Sequence, residues 1–227
     1  MFYPGLSAPN VLLNFIDVQY AWAVKDSEDK LDEAAIPDVE DMLSACCGLV
    51  VIDEESEIIR LVHSTVQEYF QDTLTRWFPT AHLDIANTCV LYLSFEDFSG
   101  GPVRTHEEAL ARLEKPLFTY AVDYWGYHTS AGCFCTPQLL NLLKKSEWVR
   151  MVVQLCDIFS NIRKRFWLSS VDLRPSHNAF HVLGAYGLNN LVKITPCECS
   201  GYRSRPARPG RSDAAKLGCR VWPYGDC

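Results

Sequence analysis

Residues 37–70 read PDVEDMLSACCGLVVIDEESEIIRLVHSTVQEYF, and the fold turns on how this stretch is parsed. Its hydrophobic period changes twice. Val39, Met42, Leu43, Cys46 and Cys47 recur at i, i+3, i+4, i+7 and i+8, which sets all five on one face of a helix. Pro37 and Asp38 open that helix, with Asp41 as the weaker partner of a capping box, and Gly48 takes the C′ position, where a positive φ costs glycine little. The period then drops to that of a strand. Residues 49–52 (LVVI) and 58–62 (IIRLV) are rich in β-branched side chains and flank the polar turn at 53–57 (DEESE), which predicts a hairpin. Ser64 starts the next helix with Gln67 at its N3 position, and Val66, Tyr69 and Phe70 form its apolar side.

Helix, hairpin wing, helix is the pattern of a winged-helix unit. Many such units bind DNA, and charge tests that possibility first. The helix carries Asp38, Glu40 and Asp41, the wing tip Asp53, Glu54, Glu55 and Glu57, and Arg60 is the sole Lys or Arg from 37 to 70. Affinity for duplex comes from Lys and Arg that displace counterions from phosphates, so this unit has the wrong sign. A protein-packing module is the expectation, with a winged-helix DNA-binding regulator as the alternative.

The run DMLSACCGLVVIDEESEIIRLVHSTVQEYF resembles a segment of large fungal proteins that join a NACHT-type NTPase to ankyrin repeats. There it forms the winged-helix region behind the NTPase, sometimes labelled after GPI inositol-deacylase-like proteins. The matching residues are Cys47-Gly48-Leu49-Val50, Asp53-Glu54-Glu55-Ser56, Ile59-Arg60-Leu61-Val62-His63 and Gln67-Glu68-Tyr69-Phe70. The similarity extends back to about Gln19 and, more thinly, forward to about Val192. Near that end, residues 178–192 (NAFHVLGAYGLNNLV) resemble the opening of an ankyrin repeat. His181 stands at the motif's histidine and Gly187 at its inter-helix turn, while Asn178, Ala179 and Leu183 depart from the usual Thr, Pro and Ala. The resemblance implies a region that sits between an NTPase and a repeat array and packs against both.

The chain has 227 residues, 48% hydrophobic and 12% aromatic, enough for one or two domains with a sizeable core. Its net charge of −7 is uneven: residues 1–195 carry 15 Lys+Arg against 25 Asp+Glu, and residues 196–227 carry 6 against 3. An acidic body argues against nucleic acid and against anionic membrane. No run approaches the roughly 18–20 apolar residues of a membrane span. The start, MFYP, lacks the basic region of a secretory signal. A cytoplasmic, reducing setting is therefore expected, with Cys46, Cys47, Cys89 and Cys156 as free thiols on apolar helical faces.

Helices are also expected over 12–24, and after Thr80 with Ile85, Ala86, Cys89, Val90 and Leu93 on one face. Thr105 and Glu108 make a capping box ahead of Ala109, Leu110 and Leu113. Leu117, Tyr120, Ala121, Tyr124 and Trp125 form a stripe read as core rather than as a cofactor pocket. Thr136-Pro137 is an N-cap with proline at N1, and Trp148, Val149, Val152, Val153 and Cys156 mark a last helix near 146–160. Residues 25–36 and 161–176 read as solvated connections. The fold class that results is mainly α: a winged-helix unit with a small β-hairpin at 12–72, a helical bundle at 80–160 and an incomplete ankyrin-like helix pair at 177–194. A basic tail at 195–227 shows no apolar period and is expected to be disordered.

Reactive motifs are missing. There is no G-x-x-x-x-G-K-[ST] phosphate cradle, no G-x-S-x-G elbow and no H-E-x-x-H. His177-x-x-x-His181 has ligand spacing without a third ligand. Cys133 and Cys135, like Cys197, Cys199, Cys219 and Cys227, lack the paired knuckles of zinc modules. His63 reads as a satisfied core histidine. An unrecognised hydrolase would show itself by a sharply perturbed pKa or an enclosed polar pocket at His63 or His128. The expectation is thus a non-catalytic interaction and coupling module with protein partners, the NTPase or ankyrin-repeat neighbours. It has no catalytic residues, cofactor or metal, no nucleic acid, no membrane and no small-molecule substrate; an inactive truncated remnant is a further alternative.

Overall fold

The computed structural model describes residues 14–26, 29–53, 55–132, 136–163 and Leu188. The ankyrin-like stretch apart from Leu188, the basic tail, and the cysteine and histidine pairs within them lie outside the described residues. Among the described residues eight helices and one hairpin follow in order: α1 (Phe15–Ala23), α2 (Val39–Ala45), β1 (Val50–Asp53), β2 (Ile58–Leu61), α3 (Ser64–Trp77), α4 (Ala81–Tyr92), α5 (His106–Leu113), α6 (Phe118–Ala131), α7 (Pro137–Leu143) and α8 (Ser146–Arg163). Short 3-10 turns stand at Glu33–Ala35 and Glu96–Phe98. The described fold is mainly α with a two-stranded antiparallel hairpin, as the periodicity predicts.

The hairpin pairs Val50 with Leu61, Val51 with Arg60, Ile52 with Ile59 and Asp53 with Ile58. Its turn is fastened locally: Asp53 Oδ1 accepts the Ser56 N–H at 2.9 Å and the carboxylate pairs with Arg60 at 3.4 Å. Asn14 adds an isolated antiparallel bridge to Ile58, and the Phe15 N–H donates to the Glu57 carbonyl at 3.0 Å. The chain just before α1 is thereby stitched to the wing.

Several caps differ from expectation. The N-cap of α3 is His63, one residue before Ser64; its Nδ1 accepts the Thr65 N–H at 3.2 Å. An imidazole nitrogen two residues ahead of a free N–H serves as well as a hydroxyl. Asp38 makes no side-chain cap on α2, and Thr80 turns its hydroxyl to the Asp84 carboxylate instead of capping α4. Left-handed backbone begins at Cys47 (φ 51°) and continues at Gly48 (φ 76°), so Cys47 is swung off the apolar face into solvent. Thr105 and Thr136 cap as predicted, accepting from Glu108 at 3.1 Å and Leu139 at 3.3 Å.

The main core is the bundle. α4 lies along α6, and α7 and α8 close over them. Trp125, Phe118, Phe98, Leu93, Met151, Leu155 and Ile158 are fully buried. Each such side chain contributes about 2–3 kcal/mol of transfer free energy. Phe98, at the end of the second 3-10 turn, stacks on Phe118 with ring centroids 4.9 Å apart. Tyr20 and Ala21 of α1 and its C-cap Val24 pack on this same core, as does Leu31, so the connection at 25–36 is only partly solvated. The Glu96 N–H also donates to the Asp29 carbonyl at 2.9 Å.

Several buried polar groups of the bundle are paired. Gln154, 1% exposed, bonds both the N–H and the C=O of Val103 at 2.8 Å, as a neighbouring strand would. Buried Arg112 donates to the Gly101 carbonyl at 2.8 Å. Leu117, buried at φ 63°, is held there by its side chain and by its N–H, which donates to Asp17 of α1 at 2.7 Å. A bulky residue in left-handed backbone costs about 1–2 kcal/mol, so this joint persists because its surroundings impose it.

Candidate interaction surface

The histidines are the natural place to seek chemistry. His63 is exposed and spent on the α3 cap, not set in a core. His128 is different. From the third turn of α6 it faces His82 in the first turn of α4, with the two Nδ1 atoms 2.9 Å apart. On its far side Nε2 meets the Tyr120 hydroxyl at 2.9 Å. Tyr127 sets its ring edgewise against both imidazoles.

Burial, reinforced by His82, pushes His128 down to about 3, and burial also lowers His82. Burial raises the Tyr120 hydroxyl well above the ordinary phenol range. The sharp perturbation that would mark a hydrolase is therefore present, but its cause is burial of an inward-facing relay. Its buried thiol neighbour Cys89 is pushed up to about 12 and stays protonated. His128 has no exposed surface, whereas His82 at the other end of the pair is half-buried. The relay joins α4 to α6.

A metal site is the next arrangement to seek among the described residues. None of them form a group of three or more His, Cys, Asp or Glu able to hold a metal ion. The apolar cavity between α1, α2 and the hairpin, lined by Phe15, Val39, Met42, Leu43, Cys46, Val50, Ile52 and Ile59, measures about 20 Å³. Small-molecule sites run to roughly 300–1,000 Å³, so this is a packing defect. No described helix is long and apolar enough to cross a membrane.

What the described surface does offer is apolar area, concentrated in one part of the chain. Seven large hydrophobics are exposed, and six of them, Trp22, Leu49, Val51, Val62, Tyr69 and Trp77, fall between residues 22 and 77; the seventh is Leu110. Hairpin register explains three. Leu49 stands opposite Val62, whose N–H donates to the Leu49 carbonyl at 3.0 Å, and Val51 is two residues on. With period 2, all three share the outer face, together with Arg60 and Asp53.

A second cluster runs along α3 at i, i+4, i+8. Trp77 Nε1 donates to the Tyr69 hydroxyl at 3.2 Å, Thr73 bonds the Tyr69 carbonyl at 2.6 Å, and the Arg76 guanidinium lies 5.7 Å from the Trp77 ring centroid. The bond between the rings and the Arg76 contact restrain the two exposed side chains. Trp, Tyr and Arg are also the residues that most often dominate binding energy.

Comparison with family models, with curated proteins and with solved structures finds no match.

The lobe beneath these clusters is thinly covered. Among the described residues of 37–77, Val50 alone is buried; Val39, Met42, Leu43, Cys46, Ile52, Ile59, Phe70 and Leu74 are half-buried. The apolar faces predicted from the sequence exist, but the lobe has too few layers to close over them. The relay was the feature harder to foresee, because His82 and His128 are 46 residues apart. Its one sequence signal is that His128 continues the Tyr120-Tyr124 spacing by another four residues.

Proposed function

We propose that the chain is a non-catalytic protein-interaction and coupling module, of the kind that stands between a NACHT-type NTPase and ankyrin repeats. The observation that carries this reading is the concentration of exposed Trp, Tyr, Leu and Val on a lobe whose own core is half open, beside a bundle that is fully packed. Apolar area of that kind on a soluble surface marks a place where another protein docks.

Coupling has a physical route in α1. Its N-terminal end is bonded to the wing through Asn14 and Phe15, Gln19 bonds the Pro37 carbonyl at 2.7 Å, and Asp17 holds the start of α6. A partner that shifts the wing therefore loads the bundle through a short helix. Under this reading the chain has no substrate or cofactor, and its partners are the NTPase or repeat neighbours.

The test is co-purification of the full chain with NACHT-type NTPase domains and ankyrin arrays from the same genome. Val51→Asp/Val62→Asp and Tyr69→Ala/Trp77→Ala are expected to lower capture at least tenfold, with far-UV circular dichroism unchanged. Equal capture by wild type and both variants, or turnover of a substrate by the purified chain, overturns the reading.

A further inference from the structure

Strand pairing in the wing leaves one edge open. The Val62 N–H donates to the Leu49 carbonyl at 3.0 Å, which makes Leu49 and Val62 a hydrogen-bonded pair. Such pairs alternate along an antiparallel ladder, so in the observed register Val51–Arg60 and Asp53–Ile58 are bonded pairs too. Val50 and Ile52 of β1, and Ile59 and Leu61 of β2, therefore turn their N–H and C=O groups away from the hairpin. The two edges fare differently. Along β2, Asn14 bridges to Ile58 and the Phe15 N–H donates to the Glu57 carbonyl at 3.0 Å. Along β1, among the described residues, β2 is the sole strand neighbour and no hydrogen bond from outside the hairpin reaches Val50 or Ile52. Outward N–H and C=O groups left in a row are a template for a further strand.

Charge selects what that strand is. Laid along β1, it stands beside Leu49, Val51 and Asp53 on the outer face: two exposed apolar side chains, then a carboxylate. Glu55 and Glu57 are exposed in the turn just beyond, and residues 37–77 carry nine Asp+Glu against two Lys+Arg. Opposite charges on neighbouring strands attract and like charges repel. A second copy pairing through its own β1 edge brings two acidic lobes together, which disfavours a two-fold contact. An anionic bilayer is repelled for the same reason. A basic segment with interleaved apolar residues matches both the floor and the charge.

We propose that the open edge of β1 takes up an extended, basic segment of a partner protein as a third strand. Its backbone bonds Val50 and Ile52, its apolar side chains lie beside Leu49 and Val51, and its Lys or Arg side chains face Asp53 and the acidic turn. Main-chain bonds supply the affinity of such an added strand and side chains its selectivity. The proposal rests on the reading of this lobe as a protein-docking surface and gives the chemistry and manner of docking.

The probe is a short synthetic peptide alternating Val or Ile with Lys or Arg, added to the full-length chain in low salt. Amide hydrogen exchange read by NMR is expected to slow at least threefold at Val50 and Ile52 on saturation, and to change less at Val51 and Asp53, whose amides face β2. The same peptide N-methylated throughout, and one with Glu in place of each Lys and Arg, are expected to bind at least tenfold more weakly. Glu55→Lys/Glu57→Lys in the chain is expected to weaken the basic peptide at least threefold. Absence of binding, binding that leaves Val50 and Ile52 unprotected, equal binding of the methylated or the acidic peptide, an unchanged affinity in the Glu55/Glu57 variant, or protection of the two amides without peptide that vanishes on tenfold dilution (the mark of a second copy) each overturns the proposal. If it is overturned while Val51→Asp/Val62→Asp still lowers capture of the NTPase or repeat partner, strand addition is wrong and the docking reading stands.

Discussion

Acid should loosen the α4–α6 joint before it affects the rest of the fold, and His128 sets the scale. Folding holds this imidazole neutral at about 3, against 6.5 for the exposed group, because burial and the facing His82 disfavour its charged form. A basic group with a depressed folded pKa takes up its proton more readily in the unfolded chain. Stability is therefore intact above about 6.5 and falls as pH drops, by about 1.4 kcal/mol per unit, until the folded pKa is reached. From pH 7 to 5.5 the loss from His128 is about 1 kcal/mol, and to pH 4.5 about 2–3 kcal/mol. His82, also depressed by burial, adds a loss of the same sign. Asp17 opposes it: burial raises its pKa, so it contributes stability at acid pH that is lost as pH rises through the folded value.

Against a total of roughly 5–15 kcal/mol these are large fractions. Urea unfolding followed by far-UV circular dichroism at pH 7.0, 5.5 and 4.5 measures the slope in wild type and in His128→Gln. The variant should be less stable at pH 7, because Tyr120 and His82 lose their shared partner, but its pH dependence should be shallower by about 2–3 kcal/mol at pH 4.5. Parallel profiles for the two proteins, or an NMR midpoint above 6 for His128 in the folded chain, refute the reasoning.

Two further substitutions probe the backbone. Gln154→Leu strips partners from the buried N–H and C=O of Val103 and should cost about 3 kcal/mol in denaturant unfolding; a loss under 1 kcal/mol shows that the loop finds other partners. Cys47→Gly relieves a left-handed residue at φ 51° on the surface. It should leave stability unchanged or raise it by up to about 1 kcal/mol, and a lower melting temperature counts against the strain assigned there.

The sequence was most legible where one local rule acted alone. Thr136-Pro137 could hardly be anything but a helix start, and the LVVI and IIRLV runs around an acidic turn left little choice but a hairpin. Misplacements came where two local solutions competed. His63 and Ser64 both offer a cap acceptor, and the imidazole won, which moved the helix start by one residue. Cys47 and Gly48 both accept left-handed backbone here, although glycine alone was predicted to. The relay was out of reach because hydrophobic periodicity says which residues turn inward but not which of them meet. Tyr69 shows the converse: its spacing marks an apolar face, yet nothing in the described lobe covers it.

That converse separates the two halves of the molecule in physical terms. In the bundle, several inward-facing polar groups have a dedicated answer: Gln154 for Val103, Arg112 for Gly101, Asp17 for Leu117. Such answers fix one arrangement and leave little surface free to bargain with a partner. In the lobe, the same chain leaves Trp77, Tyr69 and the outer hairpin face in water and locks only the rings' orientation. Exposed apolar area held in a fixed geometry gains little for folding but lowers the ordering entropy lost on association. Under the proposed coupling role, α1, bonded to both halves, is the route from the open half to the closed one. The strained Leu117 joint, where α1 meets the start of α6, is where that route first meets a residue already held away from its relaxed backbone.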